Sequence, residues 1–177
     1  MKRTGQISLC GIVAGMGVVI MLLSAIMPSM TYALPMVAGG LLIVPSIEFG
    51  SRTALTTYAA TGILSLILPA DKEAALFYIL LFGIYPIIKK GFEKIKKPWL
   101  EYTVKFAYFN AVAALGVWLA AKVLGIPFEA DPFGKWAVPA MLLLGNVCFI
   151  VYDITLTRFI PLYVARLQPV LHKTFHI

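Results

Sequence analysis

Residues 68–99, "LPADKEAALFYILLFGIYPIIKKGFEKIKKPW", decide how this chain folds. The stretch opens on Asp71, Lys72 and Glu73, runs apolar from Ala74 to Ile88, and closes on Lys89, Lys90, Lys94, Lys96 and Lys97. An apolar segment with such unequal ends suits a helix that crosses a bilayer, because its ends then face two different aqueous compartments. Acids at the start meet the positive end of the helix dipole, and lysines at the finish meet the negative end.

The rest of the chain extends this pattern. Of 177 residues, 60% are hydrophobic and only 13% charged, and the mean hydropathy is +0.90. That composition lies outside the range of a water-soluble fold and predicts an integral membrane protein. Six segments approach the roughly twenty apolar residues that a spanning helix needs: residues 7–27, 31–47, 53–68, 74–88, 100–124 and 136–163. Glycine, proline and charge collect in the joints "MPSM", "EFGSR", "PADKE", "KKGFEKIKKP" and "GIPFEADPFGK", as helix ends require. None of the segments alternates apolar with polar in the manner of a barrel strand. The expected fold is all-α, a single six-helix transmembrane domain over residues 1–177. The opening "MKRTGQISLCGIVAGMGVVIMLLSAIM" is too long in its apolar part for a signal core and reads as a retained first helix.

Charge sets the expected direction. With the amino terminus inside, twelve of the fifteen lysines and arginines fall on the cytoplasmic side, leaving Lys72, Lys122 and Lys135 outside. This satisfies the positive-inside rule and places both termini in the cytoplasm of a multi-pass plasma-membrane protein. The net charge of +7 sits at segment ends without an aromatic-interleaved patch, so anionic lipid is the expected partner and nucleic acid is not. Cys10 and Cys148, both in apolar segments, read as packed thiols.

Several polar residues stand out against this background. On the first helix Gly11 and Gly15 form a small-x-x-x-small step, a face that another helix can approach closely, whether a sibling or a separate subunit. Ala54, Thr57, Thr61 and Ser65 make a second such stripe. Asn110 and Asn146 lie near mid-depth on consecutive antiparallel helices. They either bond each other or form the floor of a polar pocket reached from outside. Glu101 and Lys105, four apart, are expected to pair. Lys105 and Lys122 are expected to snorkel to opposite interfaces. Glu48 with Arg52, and Asp153 with Arg158, read as ion pairs near the cytoplasmic face. His172 and His176 give two metal-type ligands without a third. The chain carries no zinc-protease, nucleophile-elbow or phosphate-loop motif, so neither catalysis nor a cofactor is expected.

In plan, the chain resembles the substrate-binding S components of energy-coupling factor (ECF) transporters: about 180 residues, six helices, small residues on the first helix, and the run "GSRTALTTYAATGILSLIL" before a short outer turn. "DKEAALFYILLFGIYPIIKK" is also similar to small membrane proteins of Gram-positive bacteria, a likeness that implies no activity. The S-component resemblance implies capture of a vitamin-like small molecule from outside, followed by uptake driven by a transmembrane coupling subunit and two ATPases. It implies a pocket toward the outer side, nominating Tyr32, Tyr78, Asn110, Trp118, Trp136 and Asn146. It also implies that Gly11 and Gly15 stand where that family carries an alanine-x-x-x-alanine step against the coupling subunit. The alternative is a non-transporting six-helix envelope scaffold similar to the cell-shape protein MreD. An amide-lined cavity favours the first reading, and amides that satisfy each other favour the second.

Overall fold

A computed structural model describes residues 3–68, 71–95, 97–123 and 137–175. Among them all regular structure is helical. The order is α1 (Arg3–Ile26), one 3₁₀ turn (Pro28–Met30), α2 (Ala33–Gly40), α3 (Ile43–Glu48), α4 (Ser51–Ile67), α5 (Lys72–Phe77), a π turn (Tyr78–Phe82) and α6 (Tyr85–Phe92). There follow α7 (Pro98–Val123), α8 (Ala137–Leu162), a second π turn (Tyr163–Leu167) and α9 (Gln168–Phe175). Among the described residues three helical stretches are long and apolar enough to cross a membrane: Thr4–Ile26, Lys72–Phe92 and Leu142–Leu171.

Two expected helices are not continuous. The segment read as residues 31–47 is the pair α2 and α3, because Pro45 has no N–H and its ring excludes the Leu41 carbonyl one turn back. The ladder tightens there to three-residue bonds, Leu42 N–H to Gly39 O at 3.0 Å and Val44 N–H to Leu41 O at 3.1 Å. A second break falls inside residues 68–99. Gly83 N–H reaches back five residues to Tyr78 O at 2.7 Å, and Pro86 follows at the start of α6.

Proline at 86 removes the donor that Phe82 O would otherwise accept. The Tyr152 hydroxyl on α8 supplies it instead, at 2.9 Å. Tyr58 on α4 donates to Ile79 O at 2.6 Å, and Tyr108 on α7 to Leu80 O at 3.4 Å. Irregular backbone in an apolar bundle survives only where protein covers it and satisfies its polar atoms. Here three tyrosines from three helices do so.

The broken helix is the centre of the bundle. Its Ala74, Ala75, Tyr78 and Ile87 pack with Met21 of α1, Ala38 of α2, Leu42 of the joint between α2 and α3, and Ala54 of α4. Its Leu81, Phe82 and Tyr85 pack with Ile43, Phe109, Phe149, Tyr152 and Leu156 from α3, α7 and α8. The stripe Ala54, Thr57, Thr61 and Ser65 is buried, and at Gly17 α1 comes so close that an added Cβ would lie 3.0 Å from Thr61. That stripe therefore packs against a sibling helix.

The two ends of α5 and α4 are built locally. Asp71 caps α5, its carboxylate accepting from Glu73 N–H at 2.9 Å and Ala74 N–H at 3.4 Å. The same carboxylate takes the Thr31 hydroxyl at 2.9 Å, which ties the turn after α1 to the start of α5. At the opposite end Gly50, at φ 85°, turns the chain into α4, a conformation glycine adopts without steric cost.

Gly39 is where the core tolerates least. A Cβ there would stand 2.6 Å from the Phe82 carbonyl carbon and 3.0 Å from the Tyr152 hydroxyl. Gly39→Ala is expected to destabilise the bundle by about 1–3 kcal/mol through overpacking. Gly91→Ala, where an added Cβ meets nothing within 4 Å, should be neutral or slightly stabilising. Thermal unfolding of both variants in detergent checks this pair of outcomes.

Candidate functional site

The residues nominated from sequence fall at several places. Asn110 and Asn146 bond each other reciprocally, Nδ2 to Oδ1 at 3.0 and 3.1 Å. Each amide also donates to the carbonyl one turn back, Phe106 O at 2.8 Å and Leu142 O at 2.7 Å. Both hydrogens of each amide are thus engaged inside the bundle. Tyr32 is outward-facing, donates to Glu73 at 2.5 Å, and meets the Phe77 ring edge-on at 5.3 Å. Tyr78 is fully buried in the π turn and stacks on Tyr58 at 5.9 Å. Trp118 is 57% exposed. Trp136 lies outside the described residues, as does His176. No hydrogen bond or ring contact among the described residues joins Tyr32, Tyr78 or Trp118 to the amide pair.

A more concentrated polar site lies toward the other end of the bundle. Asp153 on α8 is only 7% exposed, beside Lys89 at 1% and Lys105 at 3%. One carboxylate oxygen of Asp153 is paired with Lys89 and accepts the Tyr85 hydroxyl at 2.7 Å. The other pairs with Lys105 at 3.0 Å. Each lysine holds a second acid one turn away on its own helix, Lys89 with Glu93 at 3.1 Å and Lys105 with Glu101 at 2.6 Å. The result is an alternating chain, Glu93, Lys89, Asp153, Lys105, Glu101, that crosses from α6 through α8 to α7. Around it pack Phe149, 4.9 Å from the Tyr85 ring, and Tyr152 at 5.9 Å.

Three sequence expectations are corrected, two of them by this centre. Lys105 does not snorkel: an acid on a neighbouring helix lies at its level, so the ammonium turns inward. Asp153 does not pair with Arg158, whose side chain is exposed, because Lys89 and Lys105 reach it from α6 and α7. Arg52 makes no ion pair among the described residues, and Glu48 accepts the Tyr163 hydroxyl at 2.7 Å. The expected Glu101–Lys105 pair does form. The signal for the centre was an acid inside the apolar run "FIVYDITL", together with Tyr85-x-x-x-Lys89 and Glu101-x-x-x-Lys105 at helical spacing. With both oxygens engaged by cations, the Asp153 carboxylate acts as an electrostatic clamp. Among the described residues no three His, Cys, Asp or Glu side chains gather to hold a metal.

The third feature is a groove of about 480 Å³ between α1 and α4, lined by Gln6, Cys10, Gly11, Ala14, Arg52 and Thr53 among others. Gln6 donates to Thr53 at 3.0 Å at its polar end. A Cβ added at Gly11 or at Gly15 would meet nothing within 4 Å, so this small-residue step is left open by the sibling helices.

No protein-family model, curated protein or solved structure matches the chain. The described residues define a helical protein with three helices long and apolar enough to cross a membrane and a buried ionic clamp.

Without the Asp153 charge, Lys89 and Lys105 keep only the acids on their own helices, Glu93 and Glu101, and the ionic link between α6, α7 and α8 is lost; breaking a buried ion pair costs about 3–5 kcal/mol. Asp153→Asn is expected to lower the melting temperature in detergent far more than Arg158→Gln does. The double variant Asp153→Leu with Lys89→Met should recover part of that loss. Equal melting temperatures for the first two variants would refute the clamp.

Proposed function

We propose that the chain is a six-span plasma-membrane subunit that binds a small, amphipathic, vitamin-like metabolite from outside for uptake driven by a separate coupling module. One observation carries this reading: Gly11 and Gly15, the step that the S-component resemblance assigns to a coupling subunit, face outward beside an open groove. In a bilayer apolar burial alone drives no association, so a face of small residues favours a closely packed partner helix. Further support comes from the sorting of polar groups to two ends. Thr31, Tyr32, Asp71 and Glu73 are knitted together at one end, and the lysine-rich α6 to α7 connection lies at the other. The first is read as outer and the second as cytoplasmic.

In this reading Tyr32, Tyr78, Asn110, Trp118, Trp136 and Asn146 line the ligand site, and a ligand exchanges its own polar groups for the amide–amide bonds. ATP is consumed elsewhere, by the partner ATPases. The scaffold reading has its own support, since the two amides already satisfy each other.

Purification from native membranes followed by mass spectrometry is expected to reveal one retained small metabolite and co-purifying coupling subunits. Gly15→Leu should abolish that co-purification while the bundle stays folded. Recovery of envelope-assembly proteins with no retained metabolite would select the scaffold. For topology, in a variant lacking Cys10 and Cys148, Lys94→Cys should react with an impermeant maleimide only after the cells are opened. Lys72→Cys should react in intact cells. The reverse pattern would overturn the orientation.

A further inference from the structure

The groove between α1 and α4 has a chemical polarity of its own. At one end stand Arg52, Gln6 and Thr53, and from there the walls continue through Cys10, Gly11, Ala14 and Ala60. Arg52 is exposed and makes no ion pair among the described residues. It is the second residue of α4, whose first turn begins at Gly50 with no side chain capping it. A cation beside an uncapped helix start, where backbone N–H groups point outward, suits a phosphate. The walls beyond it are apolar or small over roughly 12 Å, counting 1.5 Å per residue from Gln6 to Ala14, and suit an acyl chain.

From this charge complementarity we propose that the groove is a binding site for one anionic phospholipid. Its phosphate sits at Arg52 and the start of α4, and an acyl chain lies along the Gly11, Ala14 and Ala60 surface. The end that holds Arg52 is the one read as cytoplasmic, where the leaflet is rich in anionic lipid. The inference rests on the membrane reading but not on the transport reading. Should a coupling helix dock on the Gly11 and Gly15 face, the bound lipid is what it would displace.

The test uses the isolated chain, with no coupling subunit present, released from nanodiscs of equal phosphatidylglycerol, phosphatidylethanolamine and phosphatidylcholine and weighed by native mass spectrometry. The expected result is one retained phosphatidylglycerol, not displaced by millimolar inorganic phosphate. Arg52→Gln should reduce its retention about five-fold, the effect of one basic side chain at an anionic surface. Ala60→Phe, at an outward-facing position, should exclude the lipid by filling the groove. Circular dichroism of both variants confirms that the bundle is intact. Equal retention of phosphatidylcholine, unchanged retention in folded Arg52→Gln and Ala60→Phe, or displacement by free phosphate would each overturn the proposal. So would a membrane protein, instead of a lipid, cross-linking to a cysteine placed at Ala60.

Discussion

A carboxylate inside an apolar bundle must find cations or give up its charge, and Asp153 has found two. Its oxygens accept Lys89, Tyr85 and Lys105, so the side chain joins α6, α7 and α8 at one level. Each lysine is in turn neutralised by an acid on its own helix. None of the five groups is satisfied alone, and their shared requirement for partners specifies how the three helices sit in rotation and in height. Apolar packing of Phe149, Phe109 and Tyr152 around Tyr85 fills the same level, but rings slide past one another more readily than a bridged carboxylate does.

The clamp matters because the helix it holds is broken. Between α5 and α6 the chain passes through a π turn and meets Pro86, so α6 is not held in line by continuous backbone bonds. Three tyrosine hydroxyls cover the carbonyls of Ile79, Leu80 and Phe82, and Lys90 donates to Ser46 O at 2.7 Å on the α3 side. Polar contacts from α3, α4, α7 and α8 thus replace the lost ladder. In water such a segment could turn to solvent, but in a bilayer it has only the protein.

The opposite face of the molecule is organised differently. α1 and α4 pack together, closely at Gly17 on Thr61 and through the Gln6–Thr53 hydrogen bond, and beside these contacts runs an open groove with a polar mouth. The ionic side of the bundle is saturated by its own residues, whereas the α1 face keeps an arginine with no ion pair among the described residues and two uncovered glycines. Interaction with molecules outside the chain is therefore expected at the second face, and rigidity at the first.

Much of this was legible in the amino acids themselves. Helical character, apolar stretches long enough to span and the acidic start at Asp71 follow from composition and from contacts within one turn. So does the Glu101–Lys105 pair, and the meeting of Asn110 with Asn146 was one of two alternatives left by their shared depth on antiparallel helices. What depended on other helices was not legible. A lysine stem can rise to an interface or turn into the bundle, and only the presence of Asp153 at the same level decided it for Lys89 and Lys105. Likewise Pro86 marked a weak point, but the tyrosines that make the break tolerable lie 21 to 70 residues along the chain from the carbonyls they cover. Local sequence determines which backbone bonds are lost; only tertiary structure determines which distant side chains replace them, because that depends on rotation and height that no single helix encodes.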